Sequence, residues 1–430
     1  MVADTIFAVS SGRPPAAIAV LRISGVGVVA AATQLAGSLP PPRRAAVRAL
    51  HDPVDGQLLD RALVLVFPGP KTATGEDLVE LHLHGGRAVV ASVERALTAI
   101  EGLRAAEPGE FTRRALAQGR IDLTEAEGLG DLLSAETDAQ RRMALAHSEG
   151  RLRRAVTEWT GIATRLSAMV EAVLDHADED DVDVGDEVLA GVRSEAAQLA
   201  TTIDKVLAIP PVERLRDGIR VVLAGPPNAG KSTLLNALVG REAAIVSPMA
   251  GTTRDVIEIP VMREGIAWLF VDTAGLRDEV IDPVERIGID RANGSIAAAD
   301  IMLWLGDAAP PNAASVIALH PRADIRQDVC PADRIAVSAT TGQGFEILWQ
   351  ALADRASTLL PKVDDLALNQ RQAVHARAAA VALQRAATQP DPLLLAEELR
   401  YGVQAFAALT GMRATEAVLD DLFGRFCIGK

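Results

Sequence analysis

Aromatic residues are scarce, 3% of 430 residues, as 4 Trp, 1 Tyr and 8 Phe. That scarcity excludes a base-stacking platform for single-stranded nucleic acid, which needs rows of aromatic faces. Cysteine is almost missing, with Cys330 and Cys427 alone. Two thiols cannot build a disulfide framework or a four-thiolate zinc site, and their rarity fits a reducing cytoplasm. Positive charge is in deficit: 43 Lys plus Arg stand against 57 Asp plus Glu, a net charge of -14. A broad phosphate-binding surface is not expected on such a chain, which leaves room for a local basic patch. Long apolar runs are lacking too. AIAVL at 17–21 is short and meets Arg22, and the start carries no basic cluster. Neither a signal peptide nor a membrane-spanning helix is expected. The chain does have an ample core, with 49% hydrophobic and 23% charged residues. This excludes a mainly disordered chain, and at roughly 150 residues per domain the length suggests about three domains.

The first 118 residues read as an α+β domain. IAVLRI at 18–23 and ALVLVF at 62–67 are apolar runs of strand length, bounded by Gly12, Pro14 and Pro15 and by Pro68, Gly69 and Pro70. The prolines at 40–42 mark a loop. From about Leu123 the period lengthens. Leu152, Val156, Trp159, Ile162, Leu166, Met169, Val170 and Val173 recur every three or four residues, one apolar helix face. An acidic run at 175–187 interrupts it and reads as a solvated loop, with a cation or partner contact as the minority reading. Helix is expected again from about Val188 to Leu207, then a boundary at Pro210 and Pro211. Residues 213–360 alternate strand and helix, with strands at 219–224, 268–272, 301–305, 316–320 and 335–339. That is the pattern of a mainly parallel, doubly wound sheet. After Pro361 the chain is Ala-rich and helical, with one stripe of Leu395, Leu399, Val403 and Phe406 and another of Val418, Leu422 and Phe426. The expected fold is therefore an α/β domain at 213–360 inserted into a helical domain made of 119–212 and 361–430.

GPPNAGKS at 225–232 fits G-x-x-x-x-G-K-[ST] between a strand and a helix, the context the motif needs. The glycines let backbone N–H groups of Asn228, Ala229, Gly230 and Thr233 turn toward phosphate oxygens, and the helix N-terminus adds partial positive charge. Lys231 supplies a compact cation at the β/γ-phosphates, and Ser232 a hydroxyl for magnesium. By itself such a stretch could be an ordinary glycine turn. Two pieces downstream fit the same site. The loop GTTRD at 251–255 offers Thr253 as a second magnesium hydroxyl. Asp272, Thr273, Ala274 and Gly275 follow a strand, so that Asp272 can reach magnesium directly or through water and the Gly275 N–H can sense the γ-phosphate. In this order they describe a phosphate-hydrolysing switch protein. Guanine recognition departs from Asn-Lys-x-Asp: the aligned residues are Pro321, Arg322, Ala323 and Asp324. Asp324 can accept from guanine N1 and N2, and Arg322 takes the place of the Lys stem. Ser338 and Ala339 fit the last base-contact loop. Leu276 stands where a water-orienting Gln would serve hydrolysis, and leucine can neither position water nor act as a base.

The phosphate loop PPNAGKS, the switch GTTRD, DTAGL followed by VERIGI at 284–289, and the C-terminal FCIGK together resemble the tRNA modification GTPase family. DTIFAV, IAVLRISG, FPGP, TGEDLVELHLHGG, PGEFTRRA and RIDLTEAEGL extend the resemblance over essentially the whole chain. It implies an N-terminal domain that dimerises and binds 5-formyl-tetrahydrofolate or a related one-carbon folate. It implies a homodimer that works with an FAD-containing partner, in a heterotetramer or larger complex, to add an aminomethyl-type group to C5 of the wobble uridine of certain tRNAs. It implies GTP hydrolysis with Mg2+ and K+, the latter promoting contact between two G domains. Asn228 matches the potassium-binding asparagine, with Ser247, the Met249 backbone and Thr252 completing the site. Glu285 matches the carboxylate that orients the attacking water. Arg22, Glu80 and Arg120 match folate-contacting positions, the third being Lys in the family, and Lys430 approaches the same pocket. Cys427 matches a proposed reactive thiol, although a cysteine beside an apolar helix is also ordinary packing. His82 and His84, without a third ligand, read as structural. A ribosome-assembly-type GTPase and a weakly hydrolysing nucleotide-binding scaffold are the alternatives. The first wants a basic appendage that the charge disfavours; the second follows from the altered base motif.

Overall fold

A computed structural model describes residues 4–175, 182–241, 257–272, 299–310, 315–412 and 414–430. The chain divides into two compact units: Met1–Leu133 with Ala146–Glu158 and Phe406–Lys430, and Ser134–Leu145 with Trp159–Ala405.

Among the described residues the first unit holds a six-stranded sheet, with β1 (Thr5–Val9), β2 (Ile18–Ser24), β3 (Ala46–His51), β4 (Leu58–Phe67), β5 (Leu78–His84) and β6 (Leu103–Ala105) in the order β3-β4-β5-β2-β1-β6. β1 and β6 pair in parallel and the other neighbours antiparallel. The side-chain period of two sends Leu21 and Ile23 of β2, Val64 of β4, and Val79, Leu81 and Leu83 of β5 into one core. That core also holds Val28 and Leu35 of the helix Val28–Ala36 and Val90, Val93 and Leu97 of the helix Arg87–Thr98. The alternate residues, among them Arg22, Glu80 and His82, lie on the other face. The helix Glu416–Gly424 packs beside Glu110–Ala117. Here the expected stripe is corrected. The helix stops at Gly424, before Phe426, and Val418 is 39% exposed. Phe426 is buried as expected and Leu422 packs against the same cluster, but the stripe's centre is Phe423, its ring 5.7 Å from that of Phe426, with Ala126 in the cluster.

In the second unit β7 (Ile219–Ala224), β8 (Ile257–Arg263), β9 (Ile266–Asp272), β10 (Ile301–Trp304), β11 (Val316–Pro321) and β12 (Ile335–Val337) form a sheet in the order β12-β11-β10-β7-β9-β8. Only the β8–β9 pairing is antiparallel among these. The helices Lys231–Arg241 and Phe345–Leu359 contribute Leu234, Leu238, Leu348 and Leu352 to its core. Trp268 and Phe270 meet Trp349 edge-on at 5.8 and 5.7 Å, an arrangement that aromatic quadrupoles favour.

The sheet is an insertion. Before it, the helix Val182–Leu207 packs along Gln370–Thr388, which follows it. The latter buries Ala376, Ala379, Ala380 and Ala386, small residues that let two helices approach closely. Entry and exit are hydrogen-bonded together, Val212 N–H to Leu368 O at 3.2 Å and Gln370 N–H to the Glu213 carboxylate at 2.6 Å. Val212, Leu215 and Ala367 share an apolar cluster with Met143. The long helix at Arg151–Asp175 buries Leu152, Val156, Trp159, Leu166 and Val170, as its periodicity requires. The second helix starts at Val182, so residues 182–187 of the acidic run are helical and not loop. Carboxylates are tolerated near a helix N-terminus, where the macrodipole is positive, and Glu is itself a good helix former.

Candidate functional site

β7 ends at Ala224 and the helix opens at Lys231, so the phosphate-loop residues connect the central strand of a parallel sheet to a helix N-terminus at the strands' carboxyl edge. Gly225 has φ 148°, and a Cβ there would come within 3.2 Å of Leu305 and Gly306. Gly230 has φ 92°, again a backbone for which glycine is suited. Asn228 holds φ 59°. Lys231, 8% exposed, folds back over the loop and donates to Gly225 O at 3.1 Å and Pro226 O at 3.0 Å. Ser232 and Thr233 are exposed at the helix start, and Ala229 is half-buried. The backbone of Asp272, the last residue of β9, is in register with Leu223 of β7, beside the loop.

The base-side residues leave the next strands at the same edge. Arg322, just after β11, donates from Nη2 to Asn228 O at 2.6 Å, joining the base loop to the phosphate loop. Ala323 N–H bonds Val337 O at 3.1 Å. The Asp324 carboxylate is exposed and has no hydrogen bond to any described residue. Ser338 is fully buried; its hydroxyl accepts from Thr341 N–H at 3.1 Å and its carbonyl from Gly342 N–H at 2.9 Å, which sets the turn that carries Ala339. Sequence reasoning missed the brace under this edge. Arg334 donates to the carbonyls of Gly306, Leu319, Asp307 and Ala308, and Arg326 pairs with Asp307 and Asp328. No local motif marks those arginines, because their acceptors lie on other loops. Ser247, Met249, Thr252, Thr253, Thr273, Ala274, Gly275 and Glu285 lie outside the described residues.

In the first unit Arg22 and Glu80 face each other in register on β2 and β5. Arg22 donates from Nη2 and Nε to Glu80 Oε1 at 2.8 and 3.1 Å, and His82 Nε2 lies 3.3 Å from Oε2. Burial alone would raise the Glu80 pKa, but the Arg22 hydrogen bond and charge, with His82, outweigh it and hold the carboxyl below its ordinary range. His84 instead pairs with Asp60 at 2.7 Å. Among the described residues no group of three or more His, Cys, Asp or Glu side chains is placed to hold a metal ion. Arg120 donates to Thr72 O at 3.3 Å, and its Cγ would stand 3.0 Å from a Cβ on Gly75. The C-terminal tail lies on the end of β1. Ser10 Oγ donates to Gly429 O at 2.8 Å, and Ile428 bridges to Pro108. Gly429 has φ 91°, and a Cβ on it would fall 2.2 Å from Val9 O. Val9 is one residue beyond Ala8, the register partner of Arg22, so the tail is anchored beside the strand that flanks the Arg22–Glu80 pair. Cys427 is exposed and Lys430 half-buried. The glycine between Ile428 and Lys430 was the signal that could have found this docking. No described helix is long and apolar enough to cross a membrane.

The family profile described as the GTP-binding protein TrmE N-terminus matches residues 5–120, and that of the MnmE helical domain matches residues 123–427. A tRNA modification GTPase MnmE of Novosphingobium aromaticivorans is 53% identical over 99% of this chain and 100% of its own. Another of that name, from Rhizorhabdus wittichii, is 55% identical over 99% of this chain and 97% of its own. Among solved structures, the G domain of the T. maritima FeoB iron transporter is 23% identical, covering 32% of this chain and 98% of its own with a TM-score of 0.25.

Proposed function

This chain belongs to the MnmE family of tRNA modification GTPases, and from that premise we propose that it hydrolyses GTP in a potassium-dependent cycle. In that cycle it serves, with an FAD-containing partner, the addition of an aminomethyl-type group to C5 of the wobble uridine of certain tRNAs. The single observation that carries the GTP reading is the phosphate loop itself. It lies between β7 and a helix N-terminus, with Lys231 buried across its mouth on the carbonyls of residues 225 and 226. Hydrolysis breaks the bond between the γ-phosphorus and the β-bridging oxygen and forms one to a water oxygen. The loop's N–H groups and the Lys231 ammonium stabilise the charge that spreads over the phosphate oxygens. Leu276 leaves the orientation of water to another group, and Glu285 takes that role in our reading.

Ser232, Thr253 and Asp272 supply hard oxygen donors of the kind magnesium takes, and would hold that ion against the phosphates. Asn228, exposed at the crown of the loop, with Ser247, the Met249 carbonyl and Thr252, offers the neutral oxygens that suit potassium. Bound there, the cation would neutralise transition-state charge. In the first unit, the Glu80 carboxylate suits the N–H groups of a pterin. The cations of Arg22, Arg120 and Lys430 suit the carboxylates of a folate tail. We assign residues 1–118 to a folate-binding and dimerising domain, 119–212 with 361–430 to the helical domain, and 213–360 to the G domain. Cys427 is placed in the transfer chemistry, and the cytoplasm is the compartment.

The test is turnover of GTP with magnesium in KCl and in NaCl. Nucleoside analysis of tRNA incubated with the chain, the flavoprotein and a formyl-tetrahydrofolate accompanies it. Faster turnover in KCl and a modified wobble uridine only in the complete mixture are expected. Equal, negligible turnover in both salts would favour the scaffold reading.

A further inference from the structure

The helix Gln370–Thr388 is apolar on two faces. One of them, with Ala376, Ala379, Ala380 and Leu383, is buried. The other carries Val374, Ala378 and Val381 at the three- and four-residue spacing of a single helix face, and there Val374 stays 61% and Val381 38% exposed. On the neighbouring helix, Pro392–Leu409, Glu398 and Tyr401 form the opposite wall, with Tyr401 53% exposed. The space between the two helices is an open groove of about 610 Å³. Apolar residues scattered singly on a surface need no account, but a contiguous strip with a polar rim marks a binding surface. The rim here is uncommitted. Arg377 and Arg385 are exposed, and neither their guanidiniums nor the Glu398 carboxylate has a hydrogen bond or ion pair to any described residue. The two arginines are eight residues apart, about 12 Å along the helix. On a chain of net charge -14 they run against the overall sign.

We propose that this groove seats an amphipathic helix of another protein, one whose apolar stripe is flanked by acidic residues seven or eight positions apart. The stripe covers Val374, Val381 and Tyr401, and the acids meet Arg377 and Arg385. Glu398, on the other wall, calls for a cation on the partner's far flank and so fixes how that helix is rotated. Two packed helices already offer the ridges between which a third lies. From Val374 to Arg385 the floor runs about 16 Å, or three helical turns. The same features disfavour a nucleic acid, whose phosphates would meet Glu398 and an apolar floor with two cations in return. None of these residues belongs to the nucleotide site, so the inference stands apart from the GTP reading.

Tyr401 is the chain's single tyrosine, so 3-fluorotyrosine incorporated into the full chain gives one fluorine NMR resonance, at the groove. The probe is a model helix of about 18 residues, five turns, with a leucine stripe flanked by glutamates; its twin has lysines in their place. The glutamate peptide is expected to shift the resonance saturably, and the lysine twin to bind about tenfold more weakly or worse. Val381→Asp puts a charge on the floor and is expected to weaken the glutamate peptide about tenfold or more. Arg377→Glu with Arg385→Glu is expected to reverse the order of the two peptides. All three positions are exposed, so the core is left intact, and an unchanged melting temperature checks this. The comparison of the two peptides on the unaltered chain needs no variant. The proposal is overturned if neither peptide moves the resonance at about 1 mM, if both bind the wild type alike, or if the double variant keeps the wild-type order. It is overturned in favour of RNA if an oligouridylate moves the resonance and displaces the glutamate peptide. It is overturned in favour of a second copy of this chain if Val381→Asp lowers the sedimenting mass of the chain alone.

Discussion

His147 gives the first unit a measurable sensitivity to mild acid. Its side chain is 4% exposed, and its buried Nε2 has no hydrogen-bond partner among the described residues. A Cβ on Gly128 would fall 2.8 Å from the His147 Cβ, so the two backbones are in close contact and leave little room for water. Burial lowers the imidazole pKa to about 4 from 6.5; the nearby charge of Arg151 pushes the same way and Glu127 opposes it. The sign follows from where the proton binds first. Above pH 6.5 neither state is charged and the group is neutral to stability. As the pH falls through 6.5 the unfolded chain takes up a proton that the folded one refuses until about pH 4. Stability is therefore lost across that window, by about 3 kcal/mol in full and about 2 kcal/mol by pH 5. Asp4, Asp60, Glu80 and Glu110 have pKa values below their ordinary 3.8 or 4.5. Their stabilisation is lost only further into acid. Burial raises the pKa values of Glu94 and Asp122, which add stability as the pH falls and oppose the histidine. Both carboxyls are common to the wild type and His147→Leu, so the difference between the two profiles reads the histidine. The assay is native-state hydrogen exchange of the amides at 146–158, corrected for intrinsic rates, because it reads local opening in a chain of more than one unit. Protection should fall about 30-fold between pH 7.5 and 5 in the wild type, and less than about threefold in His147→Leu, which fills the site without titrating. A flat wild-type profile, or the same fall in the variant, would refute the reasoning.

Three further outcomes are expected. Asn228→Ala should lower GTP hydrolysis in KCl far more than it lowers GDP binding; equal losses in kcat and in Kd would speak against a potassium role. Asp324→Asn should shift preference from GDP toward XDP by about tenfold or more, because the amide donates where guanine N2 also donates; an unchanged ratio in a competition titration would remove Asp324 from base recognition. Gly429→Ala meets both a φ of 91° and Val9 O at 2.2 Å. It should dislodge the tail and abolish tRNA modification, as Cys427→Ser should, with GTP turnover kept within about twofold in both; normal modification by Cys427→Ser in a complementation assay would mark the thiol as packing.

The features legible in the sequence were those whose chemistry is local. G-x-x-x-x-G-K-S declares a strand, a turn and a helix N-terminus within eight residues, and β7 and the helix at Lys231 stand where it requires. The apolar periodicity at 152–173 needs no partner to be read, and it is a helix. β3 and β8 were not legible, because edge strands such as AVRALH and IEIPVMR carry charges that mask the alternation, and only pairing with β4 and β9 makes them strands. The Arg22–Glu80 pair is 58 positions apart, and only the β2–β5 register brings the two residues together. The Arg322–Asn228 bond spans 94 positions. It depends on parallel strands ending at one edge, a property of topology and not of either residue's neighbours.

That distinction also explains how the insertion holds. A parallel sheet placed inside a helical domain must bring its two ends together, and the entropy of closing a loop rises only slowly with its length. A few contacts at the neck can therefore suffice. Here they are the Val212–Leu368 and Gln370–Glu213 hydrogen bonds and the small cluster of Met143, Val212, Leu215 and Ala367. The sequence offered only Pro210-Pro211 and Pro361 as punctuation at those points. The prolines say where the chain turns. The hydrogen bonds between residues more than 150 positions apart make those two turns the closed base of one domain.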